Sequence, residues 1–164
     1  MRKWRSTDVE QVGWVHSVSR RGAYAGLVPE EALARVTPEQ QAMVWKTRFA
    51  QLPETHAAFV VEHDGAVVGF ALAQLDPVSG AELNAMHVLP SQQGTGAGQA
   101  LMDAVLGALG EWAVTEARLH VLDGNERAQA FYRRNGWRLS GPAGVHAVGG
   151  VEVPILEYRR TLVA

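Results

Sequence analysis

The chain has 164 residues, of which 15 are basic and 17 are acidic, so its formal net charge is −2. This balance excludes a strong overall field for nucleic acid or an anionic membrane, and no segment approaches the roughly 18 apolar residues of a membrane helix. Cysteine is absent, which excludes disulfides, thiolate metal sites and a cysteine nucleophile. We therefore expect a single cytoplasmic domain over residues 1–164 that binds neither nucleic acid nor a membrane.

Helical patterns dominate the first third of the chain, after a short edge strand predicted at residues 2–5. Valines at every third position predict an amphipathic helix that ends near residues 20–22; they are Val9, Val12, Val15 and Val18. Further helices are predicted at residues 30–36 and, after a Thr37-Pro38 capping sequence, at residues 38–51.

The rest of the chain alternates strand and helix patterns, starting with a hairpin signal at Asp64-Gly65. Strands are predicted at residues 57–62, 66–73, 82–89, 117–122, 137–139 and 151–162, with a loose loop at residues 141–150. Helices are predicted at residues 99–109 and 126–135, and small residues on the first of these suggest close packing on a sheet. This order predicts an α/β (mixed α+β) fold, in which helices flank both faces of a central, mostly antiparallel twisted sheet.

A glycine-rich loop, Gln93-Gly94-Thr95-Gly96-Ala97-Gly98, lies between a predicted strand and a predicted helix. Glycine exposes backbone N–H groups and the start of a helix attracts negative charge, so this order predicts a phosphate-binding site. The third glycine of a dinucleotide-binding fingerprint and the lysine of a P-loop are both missing. The sequence has no GxSxG serine elbow, and its six histidines lack metal-ligand spacing, so we expect no metal.

Two sequence motifs occur together in the second half of the chain. The loop has the form Q-x-x-G-x-G at Gln93, Gly96 and Gly98. About thirty residues later come an asparagine, an alanine, an aromatic-tyrosine pair and a glycine-aromatic stop, at Asn125, Ala128, Phe131-Tyr132 and Gly136-Trp137. Together the motifs resemble the GNAT superfamily of acyl-CoA-dependent N-acetyltransferases. The resemblance covers residues 57–139 and implies the GNAT fold with acetyl-CoA as co-substrate.

The resemblance also implies which residues contact the donor. They lie in the strand before the loop, in the loop itself and in the second motif: Met86, His87, Val88, Gln93, Gly94, Thr95, Gly96, Ala97, Gly98, Asn125, Ala128 and Tyr132. Three arginines of the second motif, Arg127, Arg133 and Arg134, are candidates for the 3′-phosphate of CoA or are merely solvated.

Catalytic roles are implied for two residues. Tyr132 resembles the tyrosine that protonates the departing thiolate, and the ordinary phenol pKa of about 10 suits that task. Glu82 begins the strand before the loop, where related enzymes carry a catalytic glutamate. It is the candidate base, although a solvated strand residue and a water relay are open alternatives.

The expected activity is transfer of an acetyl group from acetyl-CoA to a primary amine of a small molecule or peptide/protein, by direct attack in a ternary complex. Tyr24 is a candidate acceptor contact, with a loop-anchoring role as the alternative. A non-catalytic acyl-CoA-binding sensor or scaffold of the same fold is the rival function. An edge at residues 148–158 could support a homodimer.

Overall fold

The computed structural model describes residues 1–162, in which one seven-stranded sheet is flanked by five α-helices. The strands are β1 (Arg2–Lys3), β2 (His56–His63), β3 (Ala66–Asp76), β4 (Gly80–Val88), β5 (Glu116–Leu122), β6 (Arg138–Val148) and β7 (Val151–Thr161). The helices are α1 (Val9–Tyr24), α2 (Glu30–Ala34), α3 (Pro38–Ala50), α4 (Ala97–Glu111) and α5 (Glu126–Arg134).

The sheet has the order β1-β2-β3-β4-β5-β7-β6. Every neighbouring pair is antiparallel except β4 and β5, which are parallel and are joined through α4. The predicted mixed, mostly antiparallel sheet is therefore confirmed, including its hairpin at Asp64-Gly65.

Side chains of β3 alternate between two cores, one on each face of the sheet. Phe70 and Leu72 pack with α1 and α3, where Trp4 and Trp45 are also buried. Ala71 and Ala73 face the other way and pack in a core with α4 and α5. Helices thus cover both faces, as the sequence predicts.

Helices α1 and α3 approach closely because α1 has a glycine at the crossing point. A Cβ atom on Gly13 would lie 2.5 Å from the backbone nitrogen of Ala42. The start of α3 carries the predicted capping box, in which the Gln40 N–H donates to Thr37 Oγ1 at 3.2 Å. The close packing expected from small residues of α4 does not involve its glycines 107 and 110, because a Cβ on either would meet nothing within 4 Å.

The loose loop predicted at residues 141–150 is wrong, because β6 continues to Val148 and only Gly149 and Gly150 make the turn into β7. Two register shifts interrupt the β6–β7 ladder, one between Leu139 and Gly141 and one between Pro142 and Val145. Glycine, proline and these shifts break the alternating pattern by which strands are predicted, although the pairing persists. Helix α1 also extends to Tyr24, two residues beyond its predicted end.

The free edge at this side of the sheet belongs to β6, since β7 lies between β5 and β6. The edge expected at residues 148–158 is therefore wrong, because most of that segment is in the interior strand β7. Among residues 1–162, no helix combines the length and the apolar composition that crossing a membrane requires.

The parallel pairing of β4 and β5 is short and ends early. It joins only Ala81–Leu83 of β4 to Ala117–Leu119 of β5. A register shift in the β3–β4 ladder follows at once, because Leu72 pairs with Ala85 and Ala73 pairs with Leu83, which leaves Asn84 unpaired. Beyond this bulge β4 and β5 separate, while β4 stays paired with β3. The backbone edge of β4 that faces β5 therefore has no strand partner there within residues 1–162.

Candidate active site

A cleft of about 1010 Å³ opens where β4 and β5 separate. Its walls come from α1, α3, β4, the glycine-rich loop, β5 and α5. Most of the residues proposed from the sequence line it, including Glu82, Tyr132 and Tyr24. The parallel ladder closes the cleft at one end, and the start of α4 lies along it farther out.

The glycine-rich loop presents the start of α4 without a side-chain cap. Gly94 and Gly96 have φ angles of +80° and +93°, which glycine adopts without strain, and Gly96 is the N-cap. Among residues 1–162, no side chain accepts a hydrogen bond from the first-turn N–H groups. These groups stay available to an anion, and the helix dipole favours negative charge at this place.

Individual residues of the loop contribute unequally to the cleft. Gln93, Gly94, Gly96 and Gly98 line it. The Thr95 hydroxyl instead donates to the Gln92 carbonyl at 2.6 Å, and the side chain of Ala97 is buried. A Cβ on Gly98 would make only ordinary contacts, the nearest at 3.7 Å from Phe131, so packing within the protein does not require glycine there.

The free edge of β4 offers backbone donors to the cleft. The Leu89 N–H donates to the Val68 carbonyl of β3 at 2.8 Å. Because donors alternate along an antiparallel strand, the His87 N–H also faces β3, whereas those of Met86 and Val88 point away from it. The His87 side chain lies on the α1 side, where Nδ1 is 2.8 Å from Ser19 Oγ and the ring stacks on Phe70.

Helix α5 forms the wall of the cleft opposite β4, and Asn125 and Tyr132 line that wall. Asn125 is the N-cap, and its Oδ1 accepts a hydrogen bond from the Ala128 N–H at 3.3 Å. Tyr132 is buried, but within residues 1–162 its hydroxyl has no hydrogen-bond partner. By contrast, the Tyr158 hydroxyl donates to Gln129 Oε1 at 2.8 Å and accepts from Arg133 at 3.2 Å.

Burial raises the pKa of the Tyr132 phenol above its ordinary value of 10.0, and Tyr24 adds to the increase. The phenol therefore keeps its proton at neutral pH. The match between the acidity of this phenol and that of a thiol is poorer than the sequence predicts, because burial makes the Tyr132 phenol the weaker acid.

Glu82 lies at the closed end of the cleft, on the face of the sheet that carries α1 and α3. Its Oε2 accepts a charge-assisted hydrogen bond from Arg118 at 3.1 Å, and its Oε1 is 3.4 Å from His120 Nδ1. The other ring nitrogen of His120 is 3.4 Å from the carboxylate of Glu157. A chain of three ionisable side chains thus leads away from the cleft.

Tyr24 ends α1 at the mouth of the cleft, and the guanidinium carbon of Arg20 lies 5.7 Å from its ring centroid. Burial raises the pKa of the Tyr24 phenol, whereas the charge of Arg20 opposes the increase. Of the arginines proposed for the CoA phosphate, Arg127 and Arg134 line the cleft, but Arg133 is bound to Tyr158.

Comparisons with known proteins identify the family. Residues 24–137 match the family model described as Acetyltransferase (GNAT) family. An uncharacterized N-acetyltransferase of Mycobacterium bovis and another of Mycobacterium tuberculosis are each 30% identical over 137 residues, which is 82% of this chain and 86% of theirs. The chain belongs to the GNAT acetyltransferase family.

Solved GNAT structures share the fold. The PaiA N-acetyltransferase of Thermoplasma acidophilum, crystallised with coenzyme A, superposes with a TM-score of 0.74 at 21% identity over 95% of both chains. A GCN5-related N-acetyltransferase of Rhodopseudomonas palustris gives a TM-score of 0.76 at 18% identity over 98% of this chain and 94% of its own.

Several residues of the site were not predicted from the sequence: Arg20, Arg48, Asn84 and His120 line the cleft, and Arg118 binds Glu82. Arg118 and His120 carried a signal, because alternation on β5 places them on one face, and the parallel register brings that face beside Glu82. No sequence signal placed Arg20 and Arg48 in the cleft, because their positions depend on how α1 and α3 cross the sheet. Asn84 enters the cleft through a bulge that no local pattern indicates.

Proposed function

We propose that this GNAT protein transfers an acetyl group from acetyl-CoA to a primary amine of a small molecule or of a peptide or protein, by direct attack in a ternary complex. The proposal rests mainly on the gap between β4 and β5. The start of α4, the Tyr132 hydroxyl and the Glu82 carboxylate all lie along this one gap. The acetyl-transferring family to which the chain belongs supports the same reaction.

The donor fits the gap in one direction. Its pyrophosphate lies on the N–H groups of the glycine-rich loop, and its pantetheine arm pairs with the free N–H groups of Met86 and Val88. Asn125 and Ala128 line the other side of the arm, and Arg127 and Arg134 are available to the 3′-phosphate. The coenzyme A bound to the Thermoplasma acidophilum relative supports this assignment by analogy of fold.

The acceptor must lose a proton before it attacks. An alkylamine with a pKa of about 10.4 is mostly protonated at neutral pH, and releasing the free amine there costs roughly 4.6 kcal/mol. Glu82 is the base, acting directly or through a water. Arg118 and His120 hold its carboxylate in place, and His120 leads onward to Glu157, so the proton has a path out of the cleft.

The reaction then proceeds through two bond changes. The amine nitrogen forms a bond to the thioester carbonyl carbon, and the backbone N–H groups of β4 stabilise the developing oxyanion. The carbon–sulfur bond breaks, and the Tyr132 hydroxyl gives its proton to the thiolate. The nitrogen, which became positively charged on attack, loses one proton to solvent, and the Tyr132 phenolate regains a proton from solvent. The free hydroxyl of Tyr132 and its position among the cleft residues support this role.

Replacing Tyr132 by Phe tests the acid role. We expect thiol release with acetyl-CoA and a panel of amines to show a fall in kcat of about 10²-fold, while the Kd of acetyl-CoA changes only a few-fold. Tyr158→Phe is the matched control, because it removes a phenol that is bonded within the core and should lower stability by about 1 kcal/mol with little effect on kcat.

An unchanged kcat in Tyr132→Phe would remove Tyr132 from the acid role. Binding of acetyl-CoA by the native protein without turnover of any amine would instead favour the non-catalytic acyl-CoA-binding module.

A further inference from the structure

We propose that the acceptor amine also carries a carboxylate, and that Arg20 binds this carboxylate in the cleft. The inference rests on the proposed acetyl transfer and names the chemical class of its acceptor. Arg48 adds a second positive charge to the same wall. The reasons are the partial burial of these arginines, the absence of a carboxylate partner among residues 1–162, and the face of the sheet on which they lie.

Arg20 is a partly buried cation without a carboxylate partner among residues 1–162. Within residues 1–162 no carboxylate oxygen lies within 4.0 Å of its guanidinium, and its Nε is buried without any hydrogen-bond partner. Burial lowers the pKa of this guanidinium, and only Tyr24 opposes the effect to a noticeable extent. Because a buried charge without a partner destabilises a protein, a ligand carboxylate is the group that this position lacks.

Arg48 approaches the cleft from α3 with similar surroundings. Its guanidinium carbon lies 4.4 Å from the ring centroid of Trp45, and no carboxylate oxygen of the described chain lies within 4.0 Å of it. Burial lowers its pKa, and the more distant Glu82 raises it. Arg48 therefore contributes positive charge beside the proposed base.

Arg20 and Arg48 are not placed to bind the phosphates of CoA. The start of α4 and the helix α5 pack on one face of the sheet, with Val88 and Phe131. Arg20 and Arg48 lie on α1 and α3, which pack on the opposite face. The donor thus enters against one face and meets an acceptor that reaches the cleft from the other.

The imidazoles of the same wall add no charge at neutral pH. Burial lowers the pKa of His87 to about 3, and it lowers the pKa of His16 and of His146 as well. The wall is therefore positive only through its arginines. The Tyr24 phenol beside Arg20 keeps its proton and stays neutral, because burial raises its pKa.

This arrangement favours amino acids and other small amines with a carboxylate over polyamines and aminoglycosides. A second cationic group on the acceptor would lie near Arg20 or Arg48 and would be repelled. The carboxylate also positions the amine toward Glu82, so part of its binding energy serves orientation.

Matched acceptor pairs test the inference on the native enzyme. Each α-amino acid is compared with its α-amino amide by thiol release, because the two have the same size and shape but only the acid carries the negative charge. We expect kcat/KM to be about tenfold to a hundredfold higher for at least one acid than for its amide, the range of a charge-assisted hydrogen bond. The difference in amine basicity acts in the opposite direction. The amine of the amide is less protonated at neutral pH, which alone would make the amide the better acceptor.

Arg20→Gln assigns the preference to one residue. It should raise the acceptor KM for the acid about tenfold or more, with little change for the amide and no change in the KM of acetyl-CoA. Arg20→Lys should restore part of the loss. Arg21→Gln is the matched control, because Arg21 is the exposed neighbour on the same helix.

Equal kcat/KM for acids and amides, or an unchanged acid KM in Arg20→Gln, would overturn the inference and leave the acetyl transfer intact. If no acceptor turns over, calorimetric titration of the same pairs into the protein–CoA complex decides separately. Preferential binding of the acids would support the inference and contradict the proposed function, whereas equal binding would overturn the inference too.

Discussion

Glu82 and Tyr132 approach the cleft from opposite faces of the sheet, so the proposed base and the proposed acid would lie on opposite sides of the thioester. Tyr132 belongs to the core with α4, and Glu82 faces the side of α1 and α3. In the proposed reaction, the group that takes a proton from the amine is thus separate from the group that gives a proton to the thiolate. It also means that the two roles can be tested one at a time.

Glu82→Gln should lower kcat/KM about 10²-fold at neutral pH, because the amide keeps an oxygen for Arg118 but cannot accept the proton. The loss should shrink as the pH approaches the amine pKa, since free amine then forms without a base. A pH profile of kcat/KM for both proteins measures this. A loss of equal size at every pH would assign Glu82 a purely structural role.

Residues whose function follows from backbone geometry were predictable from the sequence. Asn125 was expected to cap a helix, and Gly94 and Gly96 to free the backbone, because each residue type does this locally. For His120, only the face of β5 on which it lies was predictable, and its place in the site was not. Its contact with Glu82 depends on the parallel register between two strands that are separated by an entire helix.

The elements of the sheet were predictable where alternation or helical periodicity was regular. The β2–β3 hairpin and the order strand, loop, helix of β4 and α4 agree with the structure. The second half of β6 does not, because its bulges remove the period that a strand prediction uses. The early end of the β4–β5 ladder, which creates the cleft, has no sequence signal either.

Glycines in two helices should respond to alanine in opposite ways. Gly13→Ala should lower the free energy of unfolding by about 1–3 kcal/mol, because its Cβ would meet the backbone of Ala42 in α3. Gly107→Ala should raise it by up to about 1 kcal/mol, since its Cβ meets nothing and alanine favours the helix. Urea denaturation of both variants measures this. A stabilised Gly13→Ala would contradict the close α1–α3 packing.

On the scale of the whole molecule, α1 and α3 pack on the sheet through a cluster of aromatic and histidine rings. The cluster consists of His16, Trp45, Phe70 and His87. His16 Nδ1 accepts a hydrogen bond from Trp45 Nε1 at 2.9 Å, and the ring centroids of His16 and His87 are 4.4 Å apart. Both rings require the neutral form, because burial and the nearby arginines disfavour a further cation.

This cluster should make the fold labile to acid. The pKa of His87 is about 3 in the folded protein and about 6.5 when unfolded, so the unfolded state holds the additional proton between these values. Stability is therefore complete above about pH 6.5 and declines as the pH falls toward 3. His87→Gln should reduce this slope by up to about 1.4 kcal/mol per pH unit.

Chemical denaturation at several pH values measures the slope. His63→Gln, which changes an exposed imidazole in the β2–β3 hairpin, is the control. Equal slopes in the native protein and in His87→Gln would show that His87 does not link acid to unfolding.

Thermal unfolding with acetyl-CoA, NAD and ATP tests the central claim, that the gap between β4 and β5 holds an acyl-CoA. At a hundredfold excess over Kd, acetyl-CoA should stabilise the protein by about 2.7 kcal/mol, whereas NAD and ATP should not. A stabilisation by NAD or ATP alone, or none by acetyl-CoA, would contradict it.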